Sequence, residues 1–526
     1  MKKILISDAV DKSCSEILRE SGYEVSFQPG IKRDELLNQI NQYNALIVRS
    51  ETHVDGKLLS LADKLEVVGR AGAGVDNIDV NNASRRGILV MNTPGGNTIS
   101  TAEHTMALLL GMCRNIAQAN QSLKNGKWDR KNFKGTELSG KTIGIIGLGK
   151  IGKEVAIRCQ TFGMNILAFD PIQQVDLNIS PNIKLVNLDQ IWELADIITV
   201  HVPLNSETNH LVSESTLSKC KNGVKIINCA RGGIVDENAL LKALENGKVS
   251  AAAFDVYETE PPDPNNELIN HPKVLSTPHL GASTEEAQIK VAQQIALQIN
   301  DYFQSGEHKG AVNSFTINNR DEKLLPYLNL AEILGFIHSQ LLEGYLKELD
   351  VELNGEVLIK NSELITTAIL KGFLSGRLSE VVNYINAPVL AKELGISVNE
   401  KKSSGKINYS NLLTTNFFSE NGKKIISGTV FDRSEIRVVN INDYRIDLKP
   451  EGNLLICTNI DKPGMLASIS RVLAEAKINI AGLSLGRIEA GKDALTVITV
   501  DDKISNEVKN KISLLEGIKK VQSVVI

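Results

Sequence analysis

The stretch Lys141-Thr-Ile-Gly-Ile-Ile-Gly147-Leu-Gly149-Lys-Ile-Gly152 predicts an apolar strand that turns sharply into a helix through three glycines. Gly147 permits the tight turn, Gly149 lets the backbone approach a pyrophosphate, and Gly152 lets the helix pack close to the strand. The N-terminus of the helix offers unpaired N–H groups and a positive dipole end to phosphates. The stretch predicts a dinucleotide site, although a plain strand-to-helix corner would also produce it.

The residues after the glycines favour the dinucleotide interpretation. Val155 to Phe162 predicts the rest of the helix, and Asn165 to Phe169 predicts a second strand. Asp170 ends that strand about 20 residues after the glycines, where an acidic side chain binds ribose hydroxyls. The next residue is Pro171, and no arginine lies beside Asp170. The Asp170 carboxylate would repel the 2′-phosphate of NADP. The sequence therefore predicts NAD as the cofactor rather than NADP.

Length and charge limit the classes of protein to consider. At roughly 150 residues per domain, a chain of 526 residues predicts three or four domains. The net charge of −4 and the lack of a long basic run argue against a nucleic-acid partner. No run approaches the ~18 apolar residues of a membrane span. We therefore expect a soluble, cytoplasmic protein with neither nucleic acid nor membrane as a partner.

The six cysteines are scattered and form no CxxC pair and no metal-like spacing with the histidines. This pattern predicts thiols used as small core residues in a reducing compartment, and no metal site. The apolar run at Ile4 to Ile6 is interrupted by Asp8 and Asp11, so it predicts a first strand rather than a signal peptide.

The N-terminal part alternates short apolar runs with amphipathic ones, which predicts an α/β lobe on a parallel sheet. Two arginines, Arg49 and Arg70, stand at the ends of predicted strands, where ligands of open α/β sheets collect. Each could instead be a surface arginine paired with a carboxylate. Two at matching positions beside the glycine-rich run 69–74 favour an anion site. The predicted strands are Ile4 to Ile6, Ala45 to Val48, Leu65 to Val68 and Ile88 to Met91.

A second α/β series follows and predicts a doubly wound sheet inserted into the first lobe. The helix Ser100 to Arg114, capped by Ser100 or Thr101, is expected to link the lobes, and His104 on it is interpreted as a packed or capping histidine. The helix Ser283 to Phe303, capped by Ser283 or Thr284, is expected to return the chain. Further strands are predicted at Asp196 to Val200, Val224 to Asn228, Ala251 to Val256 and Val274 to Ser276.

The character of the chain changes beyond Gly306. Residues 317–447 mix a helical stretch, Leu325 to Leu349, with strand-like runs, which predicts an α+β domain. Residues 452–526 predict strand, helix, strand, strand, helix and strand in that order. This βαββαβ order is ferredoxin-like.

Three polar residues follow successive strands of the second lobe, on the side where a ligand should lie: Arg231, Glu260 and His279. Oxidation of an alcohol requires removal of a hydroxyl proton as hydride leaves, and histidine suits that task. A carboxylate bonded to the ring fixes its tautomer, and an arginine can hold a substrate carboxylate in a forked pair. Singly, each has a plain structural alternative, and Glu258 is a second carboxylate in the same loop. Together they predict a dehydrogenase site.

Three motifs resemble those of the D-isomer-specific 2-hydroxyacid dehydrogenases: the glycine motif Gly147 to Gly152, Ala230-Arg-Gly-Gly-Ile-Val-Asp236 and Pro278-His-Leu-Gly281. The resemblance covers residues 1 to about 310. It implies catalytic roles for Arg231, Glu260 and His279. It also implies a flavodoxin-like substrate lobe at 1–98 and 284–310 and a Rossmann NAD lobe at 99–283. The implied cofactor residues are Gly147, Gly149, Lys150, Ile151, Gly152 and Asp170, with Asp255 near the nicotinamide.

Within this family the chain is most similar to the long-form enzymes that oxidise 3-phospho-D-glycerate, the first step of L-serine biosynthesis. The similarity rests on Val48-Arg-Ser50, Gly69-Arg-Ala-Gly-Ala-Gly-Val-Asp76, Asn92-Thr-Pro94 and the appended C-terminal half. It implies Arg49 and Arg70 as contacts for the substrate 3-phosphoglycerate, with Arg70 a candidate for a neighbouring subunit's site. A homo-oligomer is expected on the same ground.

The C-terminal half resembles the regulatory part of those enzymes, an intervening domain at 317–447 and an ACT domain at 452–526. ACT domains bind amino acids at subunit interfaces, and the implied effector contacts are Asn459, Asp461 and Asn479. Some relatives have a histidine or an aromatic residue where this chain has Asn459, which leaves serine open as the effector. A dimerisation module that binds nothing is the alternative.

Two other functions remain open at this point. The chain could oxidise another D-2-hydroxy acid. It could also be an NAD-sensing interaction protein, because transcriptional corepressors resemble the same family. The ACT-like tail and the two arginines argue against the corepressor.

Overall fold

The computed structural model describes residues 1–171, 183–315, 322–404, 408–432 and 434–526. Across these residues the chain forms sheets of five, seven, six and four strands. The first two are the parallel sheets predicted for the two α/β lobes. Within the described ranges, no helix is both long and apolar enough to cross a membrane.

The first lobe has a five-stranded parallel sheet in the order 2-1-3-4-5, the flavodoxin-like order. The edge strand Glu24–Phe27 was not predicted, because it is short and half-exposed and has no apolar run. The elements are β1 (Lys3–Ile6), α1 (Ser13–Glu20), β2 (Glu24–Phe27), α2 (Arg33–Gln39), β3 (Ala45–Val48), α3 (Gly56–Ser60), β4 (Val67–Arg70), α4 (Val80–Arg85) and β5 (Leu89–Met91).

The second lobe begins with α5 (Thr98–Cys113) and α6 (Ile116–Lys124). Its seven strands pair in parallel in the order β12-β11-β10-β9-β6-β7-β8, which is the Rossmann order extended by one strand. The elements that follow are β6 (Thr142–Ile146), α7 (Lys150–Thr161), β7 (Asn165–Phe169), β8 (Ile183–Leu185), α8 (Leu188–Leu194), β9 (Ile197–Val200), α9 (Glu214–Lys219), β10 (Val224–Asn228), α10 (Glu237–Glu245), β11 (Val249–Phe254), α11 (Glu267–Asn270) and β12 (Val274–Ser276).

Helix α12 (Glu285–Ser305) returns the chain to the first lobe, as predicted. Its buried face, including Ile295 and Ile299, joins the core of that lobe. Its N-cap is Thr284, whose hydroxyl accepts a hydrogen bond from the Ala287 N–H.

The predicted cap of the linking helix α5 is wrong. The helix begins at Thr98, and Ser100 and Thr101 lie inside its first turn. Their hydroxyls donate instead to the Gly281 carbonyl at 2.8 and 3.1 Å, so they anchor the loop that carries His279.

The third sheet is mixed, in the order β14-β13-β15-β16-β17-β18, and belongs to the α+β region. The predicted helix Leu325 to Leu349 is too long, because it ends at Leu341 and Gly344 turns the chain with φ +81° into a strand. The elements are α13 (Leu325–Leu341), β13 (Leu346–Asn354), α14 (Glu356–Lys360), α15 (Ser362–Ser375), α16 (Ala387–Glu393), β14 (Ser397–Ser403), β15 (Leu412–Ser419), β16 (Gly422–Phe431), β17 (Glu435–Ile441) and β18 (Tyr444–Leu448).

The tail has the predicted βαββαβ order on an antiparallel sheet, β20-β21-β19-β22. One face of this sheet is covered by the two tail helices, and the other shares a core with α13. The two C-terminal parts are therefore packed together through apolar contacts. The elements are β19 (Asn453–Ile460), α17 (Met465–Glu475), β20 (Ile480–Arg487), β21 (Asp493–Val500), α18 (Asn506–Ser513) and β22 (Ile518–Val525).

Candidate active site

The three glycines of the opening motif each meet a different steric requirement. Gly147 has φ +95°, and a Cβ there would lie 2.5 Å from the His201 carbonyl oxygen. A Cβ on Gly152 would lie 2.0 Å from the Gly147 carbonyl oxygen, whereas one on Gly149 would meet no atom within 4 Å. Gly149 therefore leaves open space at the N-terminus of α7, which fits a dinucleotide pyrophosphate.

Asp170 follows β7 directly and turns back to the glycine loop, where its Oδ2 accepts a hydrogen bond from the Leu148 N–H at 2.7 Å. This bond fixes the carboxylate beside the turn, at the place expected for the ribose. Lys150 reaches across to the first lobe, where its Nζ donates to the Pro94 carbonyl at 3.2 Å. Ile151 is half-buried against the core of the second lobe.

His279 and Glu260 form a direct pair. The His279 Nδ1 lies 2.7 Å from Glu260 Oε2, and Glu260 Oε1 accepts from the Tyr257 N–H at 3.1 Å. Because a carboxylate accepts, Nδ1 carries the proton and Nε2 is left as the basic nitrogen. Burial raises the pKa of the Glu260 carboxyl, but the hydrogen bond and charge of His279 outweigh it, so that this pKa lies below its usual value.

Asp255 holds the backbone of the loop after β12 that carries His279, which we call the histidine loop. Its carboxylate is buried and accepts from the Leu280 N–H at 2.7 Å and the Gly281 N–H at 2.8 Å. His279, directly before them, has φ +55°, an unfavourable backbone conformation for a residue with a side chain. The structure therefore places Asp255 as a support of the histidine loop.

The other oxygen contacts of Asp255 come from side chains. His104 Nε2 lies 3.1 Å and Thr277 Oγ1 2.6 Å from Asp255 Oδ1. Burial raises the pKa of Asp255, but these hydrogen bonds outweigh it, and the pKa is lowered. His104 is thus a packed histidine, as interpreted from the sequence.

Arg231 follows β10, in a turn that the buried Asn228 stabilises. Asn228 Nδ2 donates to the Arg231 carbonyl at 2.8 Å, which closes the turn. A Cβ on Gly232 would lie 1.8 Å from the Tyr257 carbonyl oxygen, so the arginine loop packs against the loop that leads to Glu260. The positive charge of Arg231 also contributes to lowering the pKa of Glu260.

Arg49 and Arg70 lie together on the first lobe, at the ends of neighbouring strands. Arg70 Nε donates to the Arg49 carbonyl at 2.9 Å. Burial lowers the pKa of Arg70, Asp76 raises it, and the charges of Arg231 and Arg49 lower it further. The Arg70 guanidinium therefore lies near Arg231 of the second lobe.

Four polar residues of the site were not identified from the sequence. Asp76 pairs with Arg231, and Asn77 Nδ2 donates to the Arg49 carbonyl at 2.9 Å. The buried Asp8 accepts from the Arg49 N–H at 2.7 Å, so it fixes the start of the loop after β3. Burial lowers the pKa of His201, beside the glycine turn, to about 4. Their positions just after β1, β4 and β9 were the available signal.

The three predicted effector residues have partners within the chain. Asn459 is buried, and its amide donates to the Ile460 carbonyl and accepts from Thr496. Asp461 bonds Arg487 Nη1 at 3.1 Å, and Asn479 Nδ2 donates to Asp501 Oδ2 at 2.8 Å. An effector at these residues would have to replace or extend these contacts. In the part of the chain that the structure describes, no cluster of His, Cys, Asp or Glu could hold a metal ion.

Comparisons with known proteins agree with this geometry. Residues 106–281 match the NAD binding domain of the D-isomer specific 2-hydroxyacid dehydrogenases, 323–442 the D-3-phosphoglycerate dehydrogenase intervening domain, and 453–515 the ACT domain. The NAD-dependent formate dehydrogenase of Staphylococcus aureus, solved in complex with NAD, is 29% identical with a TM-score of 0.53, over 58% of this chain and 96% of that one. The fold and site define an NAD-dependent 2-hydroxyacid dehydrogenase.

Curated relatives match the whole chain. D-3-phosphoglycerate dehydrogenase of Archaeoglobus fulgidus is 42% identical over 98% of this chain and 98% of the relative. The Bacillus subtilis protein of the same name is 40% identical over 97% and 98%. The chain belongs to the D-3-phosphoglycerate dehydrogenase family, and its cofactor is NAD.

Proposed function

We propose that this protein oxidises 3-phospho-D-glycerate to 3-phosphohydroxypyruvate with NAD, the first step of L-serine biosynthesis. The observation that carries the proposal is the place of Arg231, which lies on the lobe of the His279–Glu260 pair and meets Asp76 and Arg70 of the other lobe beside Gly74. One lobe supplies a base and a carboxylate clamp, and the other supplies positive charge for a phosphate.

Each residue has a defined task in this proposal. His279 Nε2 takes the hydroxyl proton, while Glu260 holds Nδ1–H and stabilises the imidazolium that forms. Arg231 binds the substrate carboxylate and polarises the reacting oxygen. Asp255 keeps the histidine loop in place. NAD, held by the glycine turn and Asp170, supplies the hydride acceptor when bound.

The substrate is tested by NADH formation with the purified full chain. We expect 3-phosphoglycerate to be oxidised far more efficiently than glycerate, lactate or 2-hydroxyglutarate. An equal or better kcat/KM with a non-phosphorylated acid would indicate a different D-2-hydroxyacid dehydrogenase. Absence of turnover with every acid, with NAD binding retained, would favour an NAD-sensing corepressor-like protein.

Substitution of Arg70 tests directly whether this arginine binds the substrate phosphate. We expect Arg70→Ala to raise the KM for 3-phosphoglycerate by about 10- to 100-fold, because charged hydrogen bonds contribute about 1.5–3 kcal/mol. The Kd for NAD, measured by fluorescence titration, should stay unchanged. A parallel loss of NAD affinity would show that Arg70 supports the cofactor instead.

We infer that an amino acid, with serine as first candidate, binds the ACT domain near Asn459, Asp461 and Asn479. The support is the match of 453–515 to the ACT domain and the polar side chains around the loop after β19. A thermal-shift screen of amino acids, with kcat/KM measured alongside, tests this. No shift with any amino acid would leave the tail as an assembly module.

We propose a homo-oligomer assembled through the segment around α6. This helix has no buried residue, and Ile116, Leu123 and Trp128 are 59%, 57% and 78% exposed. Apolar side chains exposed together indicate a docking surface, here for a second copy. Light scattering should give a multimer for the wild type and a smaller species for Trp128→Lys. An unchanged mass would place the interface elsewhere.

A cytoplasmic location is proposed because all six cysteines are buried and unpaired, as in a reducing compartment. Burial raises the pKa of the thiol of Cys229 to about 12 and similarly affects Cys14 and Cys159. Cell fractionation tests the location.

A further inference from the structure

Asp76 lies where the arginines of the two lobes meet. Arg231 Nε donates to Asp76 Oδ2 at 3.0 Å, across the cleft between the loops after β4 and β10. A Cβ on Gly74 would lie 2.0 Å from Arg231 Nη2, 2.7 Å from Asp76 Oδ2 and 2.8 Å from Arg70 Nη1. The bare backbone of Gly74 therefore lets three charged side chains approach one another at one point.

The charges at this point are unevenly compensated. Asp76 bonds Arg231 and also acts electrostatically on Arg70, while Arg49 and Arg70 lie together. Asp8, the other nearby carboxylate, lies behind Arg49, where Oδ2 accepts from the N–H groups of Arg49, Glu51 and Thr52. Arg231 is thus in direct contact with the Asp76 carboxylate, whereas the carboxylates of Asp76 and Asp8 act on Arg70 electrostatically.

We propose that Asp76 is a specificity-determining residue that sets the direction in which the substrate lies between the lobes. The proposal rests on the function proposed above. By neutralising Arg231, Asp76 makes that arginine a poor site for a phosphate and leaves it suited to a carboxylate. The phosphate is then directed to Arg49 and Arg70.

The discrimination follows from charge. A phosphate monoester carries about −1.5 to −2 at pH 7, whereas a carboxylate carries a single negative charge. Repulsion by Asp76 scales with that charge, so it penalises a phosphate beside Arg231 about 1.5 to 2 times as strongly as a carboxylate. The bonds of Nε to Asp76 and of Nη1 to the Ala230 carbonyl fix the guanidinium beside Gly74.

The direction of binding matters because the reacting carbon is chiral. A reversed substrate would exchange its carboxylate and phosphomethyl groups between the two anion sites. The hydroxyl and the hydrogen on the reacting carbon would then no longer face His279 and the cofactor in the productive arrangement. Such a complex is occupied but does not react.

The charge of Asp76 can be removed while its hydrogen bond is kept. In Asp76→Asn the amide oxygen can still accept from Arg231 Nε. Asp63→Asn is the matched control, because Asp63 pairs with Arg86 at 3.1 Å on the same lobe and its side chain is 81% exposed. Calorimetric titration of the full chain with inorganic phosphate needs no turnover, so it tests Asp76 independently of the substrate assignment.

We expect Asp76→Asn to bind inorganic phosphate about five- to tenfold more tightly than the wild type, and Asp63→Asn to bind it equally. With 3-phosphoglycerate, Asp76→Asn should show kcat and KM lowered by the same factor, because the reversed complex excludes the productive one from the site. Unchanged phosphate affinity, or an equal gain in Asp63→Asn, would overturn the proposal. So would a variant with tighter phosphate binding whose kcat and KM match the wild type.

Discussion

His279→Gln is expected to lower the kcat for oxidation of 3-phosphoglycerate by about 10²- to 10⁴-fold, the usual contribution of a positioned general base. Glutamine can occupy the space and bond Glu260, but it cannot accept the hydroxyl proton. The measurement is steady-state NADH formation by the full chain. His279 lies outside the glycine turn that binds the cofactor. The Kd for NAD should therefore stay within about twofold, which is a change in binding free energy well below 1.4 kcal/mol.

The control for this variant is His104→Gln. His104 is the second histidine of the site, but its Nε2 is bonded to Asp255 and Thr277. We expect this substitution to reduce kcat by no more than about tenfold, through weaker support of the histidine loop. If His104→Gln lost as much activity as His279→Gln while both stayed folded, the assignment of His279 as the base would be wrong.

The strands that carry the site could be predicted closely because they are buried in parallel sheets. Such strands are continuous apolar runs with no competing interpretation, and β6, β7 and β10 have the predicted bounds. The edge strands β2 and β8 were not predicted. They are only four and three residues long and partly exposed, so they show no clear apolar pattern. Local pattern therefore located the sheet centres better than their edges.

The contacts between loops of different lobes could not be predicted from the sequence. Glu260 and His279 could be proposed as a pair because both follow strands that end at the same edge of one sheet. The pair Asp76 and Arg231 joins residues 155 positions apart on different lobes, and no periodicity encodes how two lobes face each other. Asn459 is a different case. Its place in the ACT motif could be read from the sequence, but not that its side chain turns into the tail's own core.

The glycine turn offers a pair of variants that separates cofactor contact from folding. An added Cβ on Gly149 meets no atom of the chain within 4 Å, whereas one on Gly152 would lie 2.0 Å from the Gly147 carbonyl oxygen. Gly149→Ala should therefore fold with an unchanged melting temperature. Its methyl group would instead displace the pyrophosphate from the N–H groups of α7.

We expect Gly149→Ala to raise the Kd for NAD by about 10- to 100-fold, since one hydrogen bond to a charged group contributes about 1.5–3 kcal/mol. Gly152→Ala should lose NAD binding and also lower the free energy of unfolding by about 1–3 kcal/mol, because the helix must move away from the strand. Fluorescence titration and thermal denaturation of both variants give the comparison. Equal melting temperatures for the two variants would contradict the packing role of Gly152, and wild-type NAD affinity in Gly149→Ala would place the pyrophosphate away from this turn.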